Sequence, residues 1–176
     1  MRRASFCLTL LPFLSITLAI SQDRPNPTIQ LTDAPIERKL NYAVWRTDYY
    51  ICTGIAYAKS IGKTPDDFAA FVASQHSLGS SRDKGLAPVV RLLHFMIENY
   101  NNGRFDVISE SDSAVTMRNN RPYAVFFKDG PVLGVTLEEF ETFLWKHIAI
   151  MADRIGFDFV YHVEGKYLTS ILSMRK

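Results

Sequence analysis

An α+β fold built around an antiparallel sheet is what this sequence predicts, on three observations. Apolar residues recur at helical spacing from Ile36 to Tyr100, the period drops to two after Gly103, and a second helical run from Leu137 to Ile155 separates the later strand-like segments from the earlier ones. Three helices, an antiparallel meander, one long helix and a closing β-hairpin fall in blocks, the pattern of α+β rather than alternating α/β architecture.

The first 21 residues carry Arg2 and Arg3, an apolar run from Phe6 to Ile20 broken by Thr9, Pro12, Ser15 and Thr17, and no acid. That layout predicts a secretory leader, and the small residues Ala19 and Ser21 place cleavage after Ser21. A membrane anchor is disfavoured, because a span needs roughly 18–20 apolar residues and polar Gln22-Asp23-Arg24 follows at once. Residues 22–34, with Pro25 and Pro27, read as an extended lead-in.

Pro35 then fits the start of a long helix whose apolar face is Ile36, Leu40, Val44 or Ala43, Ile51, Ile55 and Ala58, ended by Gly62. Thr64-Pro65-Asp66-Asp67 restarts helix with a cap, a proline at the first position and two acids at the positive end, and Phe68, Phe71 and Val72 form its stripe. Pro88 opens a third helix through Leu93, Ile97 and Tyr100, closed by Asn101-Asn102-Gly103. Phe105 with Val107, and Val115 with Met117, alternate as two short strands; Tyr123–Phe127 and Val132–Val135 read as two more, joined by Lys128-Asp129-Gly130-Pro131. Thr136 and Glu139 form a capping box for the helix from Leu137 to Gly156. Phe157–Val163 and Tyr167–Met174 flank Glu164-Gly165 as a hairpin, with Phe157, Phe159 and Tyr161 on one face.

The chain has 20 Lys plus Arg against 18 Asp plus Glu, a formal charge of +2. Loss of residues 1–21 removes Arg2 and Arg3 and no acid, leaving 155 residues with 18 charges of each sign. A neutral chain offers no footprint for nucleic acid and, once the leader is gone, no attraction to an anionic membrane. Cys52 alone of the two cysteines survives cleavage, so no internal disulfide is expected; at this length a core suffices without one. Leader and composition together predict a secreted or periplasmic protein.

Chemistry-bearing patterns are sparse. Cys52 is a nucleophile only if a base such as His94 reaches it from the third helix; otherwise it is an apolar filler. His76, His94, His147 and His162 fall one per element with no ligand-pair spacing, so no metal site is expected, and His147 reads as a hydrogen-bonded boundary residue. The acid pairs Asp66-Asp67 and Glu138-Glu139 are explained by capping. No glycine-rich nucleotide loop appears, and no cofactor is implied. Arg118-Asn119-Asn120-Arg121 reads as a solvated turn, with Arg118 and Arg121 as an alternative contact for a carboxylate or phosphate. Trp45, Tyr49 and Tyr50 leave the main apolar stripe, and either widen the core or line a ligand pocket.

At Gly134-Val135-Thr136-Leu137-Glu138-Glu139-Phe140, the helix that follows and the closing hairpin, the element order over Val89–Met174 resembles vinyl-reductase and transport-complex type α+β ligand-binding domains, and the aminothiazoline-carboxylate hydrolase family. The resemblance implies a small apolar or acidic ligand held between helices and sheet, and carries no catalytic residue with it. The expectation is an exported domain that binds a small molecule or a protein partner without catalysis, at Tyr49, Tyr50, Cys52 and His94. The alternatives are a small-molecule hydrolase using Cys52 or His94, and an interaction protein with no pocket.

Overall fold

The computed structural model describes residues 34–78 and 82–175; the leader predicted over 1–21, and all but the last residue of the predicted lead-in, lie outside them. Pro35 precedes helix α1 (Ile36–Ser60), which stops where Gly62 takes φ +76°. Thr64 caps α2 (Pro65–Gln75) in a reciprocal box with Asp67, because a short oxygen-bearing side chain there satisfies an otherwise unpaired helical N–H. A 3₁₀ turn (Arg82–Lys84) leads to α3 (Ala87–Glu98). Strands β1 (Phe105–Glu110) and β2 (Ala114–Asn120) follow, then a 3₁₀ segment (Pro122–Phe127), α4 (Leu137–Arg154), and the hairpin β3 (Phe157–Glu164) and β4 (Tyr167–Met174).

The four strands form one antiparallel sheet in the order β1-β2-β4-β3. The last strand therefore inserts beside β2, joining the hairpin to the earlier pair through registers such as Met117 opposite Ser170 and Phe159 opposite Leu172. Alternation puts Val115, Met117, Phe157, Phe159, Leu168 and Leu172 on the inner face, all buried, while Val160 and Ile171 stay exposed on the outer one. Phe140, Phe143, Leu144, Ile148 and Met151 of α4 fill the space above that inner face. Thr136 and Glu139 cap α4 reciprocally, and Lys59 at the end of α1 pairs with Glu139 at 2.6 Å and donates to the Gly134 carbonyl at 2.8 Å.

The α+β reading holds, and the structure departs from it in local detail. Tyr123–Phe127 is a 3₁₀ segment and not a strand: Pro122 lacks a donor for a ladder, and Tyr123 and Phe127 are buried at a spacing of four, as a helical turn requires. Val132–Val135 closes a two-residue turn through two 2.9 Å backbone bonds, with Leu133 at φ +54° and Gly134 at φ +73°, so it makes a single bridge instead of a strand. The inward residues of α2 are Ala69 and Ala73, while Phe71 is exposed. In α1, burial begins only at Asp48, and Ile36 and Leu40 face solvent. Arg118, Asn119 and Asn120 are residues of β2 and not of a turn, with Asn119 buried.

Candidate functional site: a buried carboxylate in an aromatic cleft

Asp48 stands among Val44, Cys52 and Ile55 on one face of α1, and a helix carries residues at such three- and four-residue steps to the same side. The face points inward, leaving the carboxylate 3% exposed. Its Oδ1 accepts a 2.7 Å hydrogen bond from the Tyr100 hydroxyl, which the end of α3 delivers. Burial pushes the Asp48 carboxyl up to about 6, against the opposite effect of that hydrogen bond. Burial, and then the neighbouring Asp48 charge, raises the Tyr100 phenol as well. No described Lys, Arg or His pairs with Asp48.

Behind Tyr100, with ring centroids 6.2 Å apart, lies Tyr123. Its hydroxyl donates to Glu141 Oε1 at 2.9 Å and accepts from Trp145 Nε1 at 3.3 Å. Glu141 is also buried, but Arg121 grips it with two bonds, Nε at 2.5 Å and Nη2 at 2.6 Å, and spends Nη1 on the Gly165 carbonyl. Two carboxylates thus sit behind one pair of tyrosines, one neutralised and one not.

Two adjoining cavities open at this place, and Val44, Asp48, Tyr100 and Tyr123 line both. The inner one holds about 180 Å³ and reaches Ile97 and Leu144. The outer one holds about 740 Å³ and is walled by Trp45 and Tyr49 of α1, Phe126 of the 3₁₀ segment, and the rim residues Asn101, Asn102 and Lys128. Trp45 stacks on Tyr49 at 5.5 Å and meets Phe126 edge-on at 5.9 Å, so the rings form a continuous wall. The chain matches no protein-family model and has no significant match among curated proteins or solved structures. The site must therefore be read from its own geometry.

The residues expected from sequence are dispersed. Tyr49 lines the outer cleft, but Tyr50, one helical step round, is 61% exposed beneath the Arg46 guanidinium. Cys52 is fully buried, and burial, followed by the Asp48 charge one turn away, pushes its thiol up to about 12, the opposite of what a nucleophile needs. His94 Nε2 pairs with Glu98 at 2.9 Å and its ring rests on Phe105, so its neighbours are those of a helix surface. Arg118 and Arg121 diverge: one lies over the Tyr167 ring at 4.1 Å, the other is consumed by Glu141. His147 stacks on Phe143 at 5.8 Å with its buried Nε2 unpartnered, where a hydrogen bond was expected; burial, then His76, lowers its pKa. Among the described residues no group of three potential ligands could hold a metal ion.

Asp48 and Tyr100 were not singled out from sequence, although a signal existed. Asp48 interrupts the stripe Val44, Ile51, Ile55 at a position that faces inward with them, as Glu141 interrupts Leu137, Leu144 and Ile148. An acid inside an apolar helical stripe is a buried charge in waiting.

Proposed function

We propose that this chain is an exported, small-molecule-binding domain whose site is the cleft between α1, the end of α3 and the 3₁₀ segment Pro122–Phe127. The observation that carries the reading is Asp48: a carboxylate 3% exposed, with one protein hydrogen bond and no ion pair among the described residues, at the junction of the two cavities. A buried charge without a counter-charge costs several kcal/mol, and folds that keep such a group have a use for it. A cavity of about 740 Å³ with aromatic walls and few polar groups falls within the roughly 300–1,000 Å³ of small-ligand sites. Export rests on the sequence of residues 1–21; among the described residues no helix is long and apolar enough to cross a membrane.

The test is a fragment screen by ¹H–¹⁵N NMR on the full chain. Binders are expected to shift the Trp45 indole and the amides of Tyr49, Asn101 and Tyr123 together, in a saturable manner. Shifts confined to the outer sheet face around Val160 and Ile171, or to the His94 surface, would overturn the assignment of the cleft.

A further inference from the structure

The proposed binding cleft has walls and a floor of different chemistry, and together they select a ligand class. Trp45, Tyr49, Tyr100, Tyr123 and Phe126 line it, with Trp45 stacked on Tyr42 and Tyr49. At its base, Tyr100 occupies Oδ1 of Asp48, and no described residue donates to Oδ2. Among the described residues the one basic group on the cleft lining is Lys128 at the rim, its side chain 69% exposed and 3.9 Å from the Asp129 carboxylate, so it stays in water and leaves the floor negative. An anion here would meet Asp48 without a compensating partner. A neutral ligand would leave the carboxylate as uncompensated as before. An ammonium group meets the demand at the floor, giving Asp48 the missing counter-charge among aromatic side chains that favour a cation over an anion.

We propose that the cleft binds a small organic cation, a primary or secondary ammonium on an aryl or alkyl frame, with its N–H donated to Asp48 and its frame against Trp45 and Tyr49. This rests on the small-molecule reading of the same cleft and departs from the apolar or acidic ligand that the resemblance implied. Glu141, beyond the packed rings of Tyr100 and Tyr123, shows a carboxylate satisfied by the protein itself: Arg121 and Tyr123 fill it from within. At Asp48 the position that Arg121 takes beside Glu141 is left to something outside the described chain.

A matched series settles it: 2-phenylethylamine, 2-phenylethanol and 3-phenylpropionate titrated into the full-length protein at pH 8, with the Trp45 indole as NMR reporter and calorimetry for affinity. The amine is expected to bind at least about tenfold more tightly than the alcohol, with no saturable response to the carboxylate. Asp48→Asn is expected to erase that preference while keeping the fold, and Trp45→Ala, at a half-exposed residue, to weaken the amine without lowering stability. If the alcohol or the carboxylate equals the amine at Trp45, or Asp48→Asn leaves the amine unaffected, the cation proposal fails and the binding cleft stands. If none of the three perturbs the cleft, both readings fail.

Discussion

Asp48 on α1 and Glu141 on α4 are two buried carboxylates joined by a pair of packed tyrosines, and they are treated in opposite ways. Glu141 receives a bidentate guanidinium and a phenol, so its charge is balanced within the protein. Asp48 receives one phenol and no cation among the described residues. Both segments put an acid where the helical stripe is apolar, so burial alone does not distinguish them. The difference is in the partners: Arg121 precedes Pro122 at the start of the 3₁₀ segment, close to α4, whereas the nearest basic residue along α1, Arg46, lies over the exposed Tyr50 ring and does not pair with Asp48. The pair shows that burying an acid and neutralising it are separate features of one fold.

The contrast breaks most severely at Arg121. Arg121→Met leaves Glu141 buried and unpaired, and is expected to cost about 3–5 kcal/mol, read as a drop in the urea midpoint. Adding Glu141→Leu should recover most of that loss, because the charge and its partner then leave together. Recovery absent in the double variant would show that Arg121 acts through Gly165 and not through the ion pair.

Next in size, and opposite in sign, is Asp48→Asn. The folded carboxyl titrates near 6 against 3.8 for an ordinary aspartate, so the native state holds its proton more firmly than the unfolded chain. Its contribution to stability is complete below about pH 4 and is lost as pH rises through 6, at most about 3 kcal/mol. Asp48→Asn is therefore expected to raise stability at pH 8 by about 1–2 kcal/mol, and to flatten the fall in stability between pH 4 and 7. Thermal unfolding across that range measures both, and a loss of stability at pH 8 would mean that the charge is already compensated.

A smaller effect sharpens the same comparison at the tyrosines. Tyr100→Phe removes the one bond that lowers the Asp48 carboxyl, so the titration of Asp48, followed by ¹³C NMR, should move above 6, with about 1 kcal/mol lost at neutral pH. Smallest is Cys52, where no effect is expected until the fold opens. Fully buried and with its thiol near 12, it should resist iodoacetamide at pH 8 and react once urea unfolds the protein. Rapid alkylation of the native protein would reinstate the thiol as a candidate nucleophile.

Helix ends, caps and the closing hairpin are legible in the sequence because they are local: Thr64 with Asp67 and Thr136 with Glu139 sit within one turn of each other, and Gly156 marks its own stop. The segment from Pro122 to Val135 is not, since Tyr123 and Phe127 look like strand residues until the layer above them fixes which side is inward. Tyr49 was legible as a residue leaving the apolar stripe. Its partners were not, because Tyr100, Tyr123 and Phe126 come from elements far apart in the chain, and Asp48 matters through the absence of a neighbour that no spacing rule records.

One consequence lies in the uneven support of α1. Lys59 fastens the end of this helix to the start of α4, and its buried residues, Asp48, Cys52, Ile55 and Ala58, all lie from the midpoint onward. The first three turns carry Asn41, Val44 and Trp45 of the cleft with no fully buried side chain of their own. Burial along the helix thus rises toward the Lys59 end, while Trp45 in the leading turns packs on Tyr49 and Phe126 at the surface, and amide exchange should slow from Leu40 toward Ala58. One wall of the cleft therefore stands on the buried core and the other on surface rings, so protection from exchange should differ from one side of the cleft to the other.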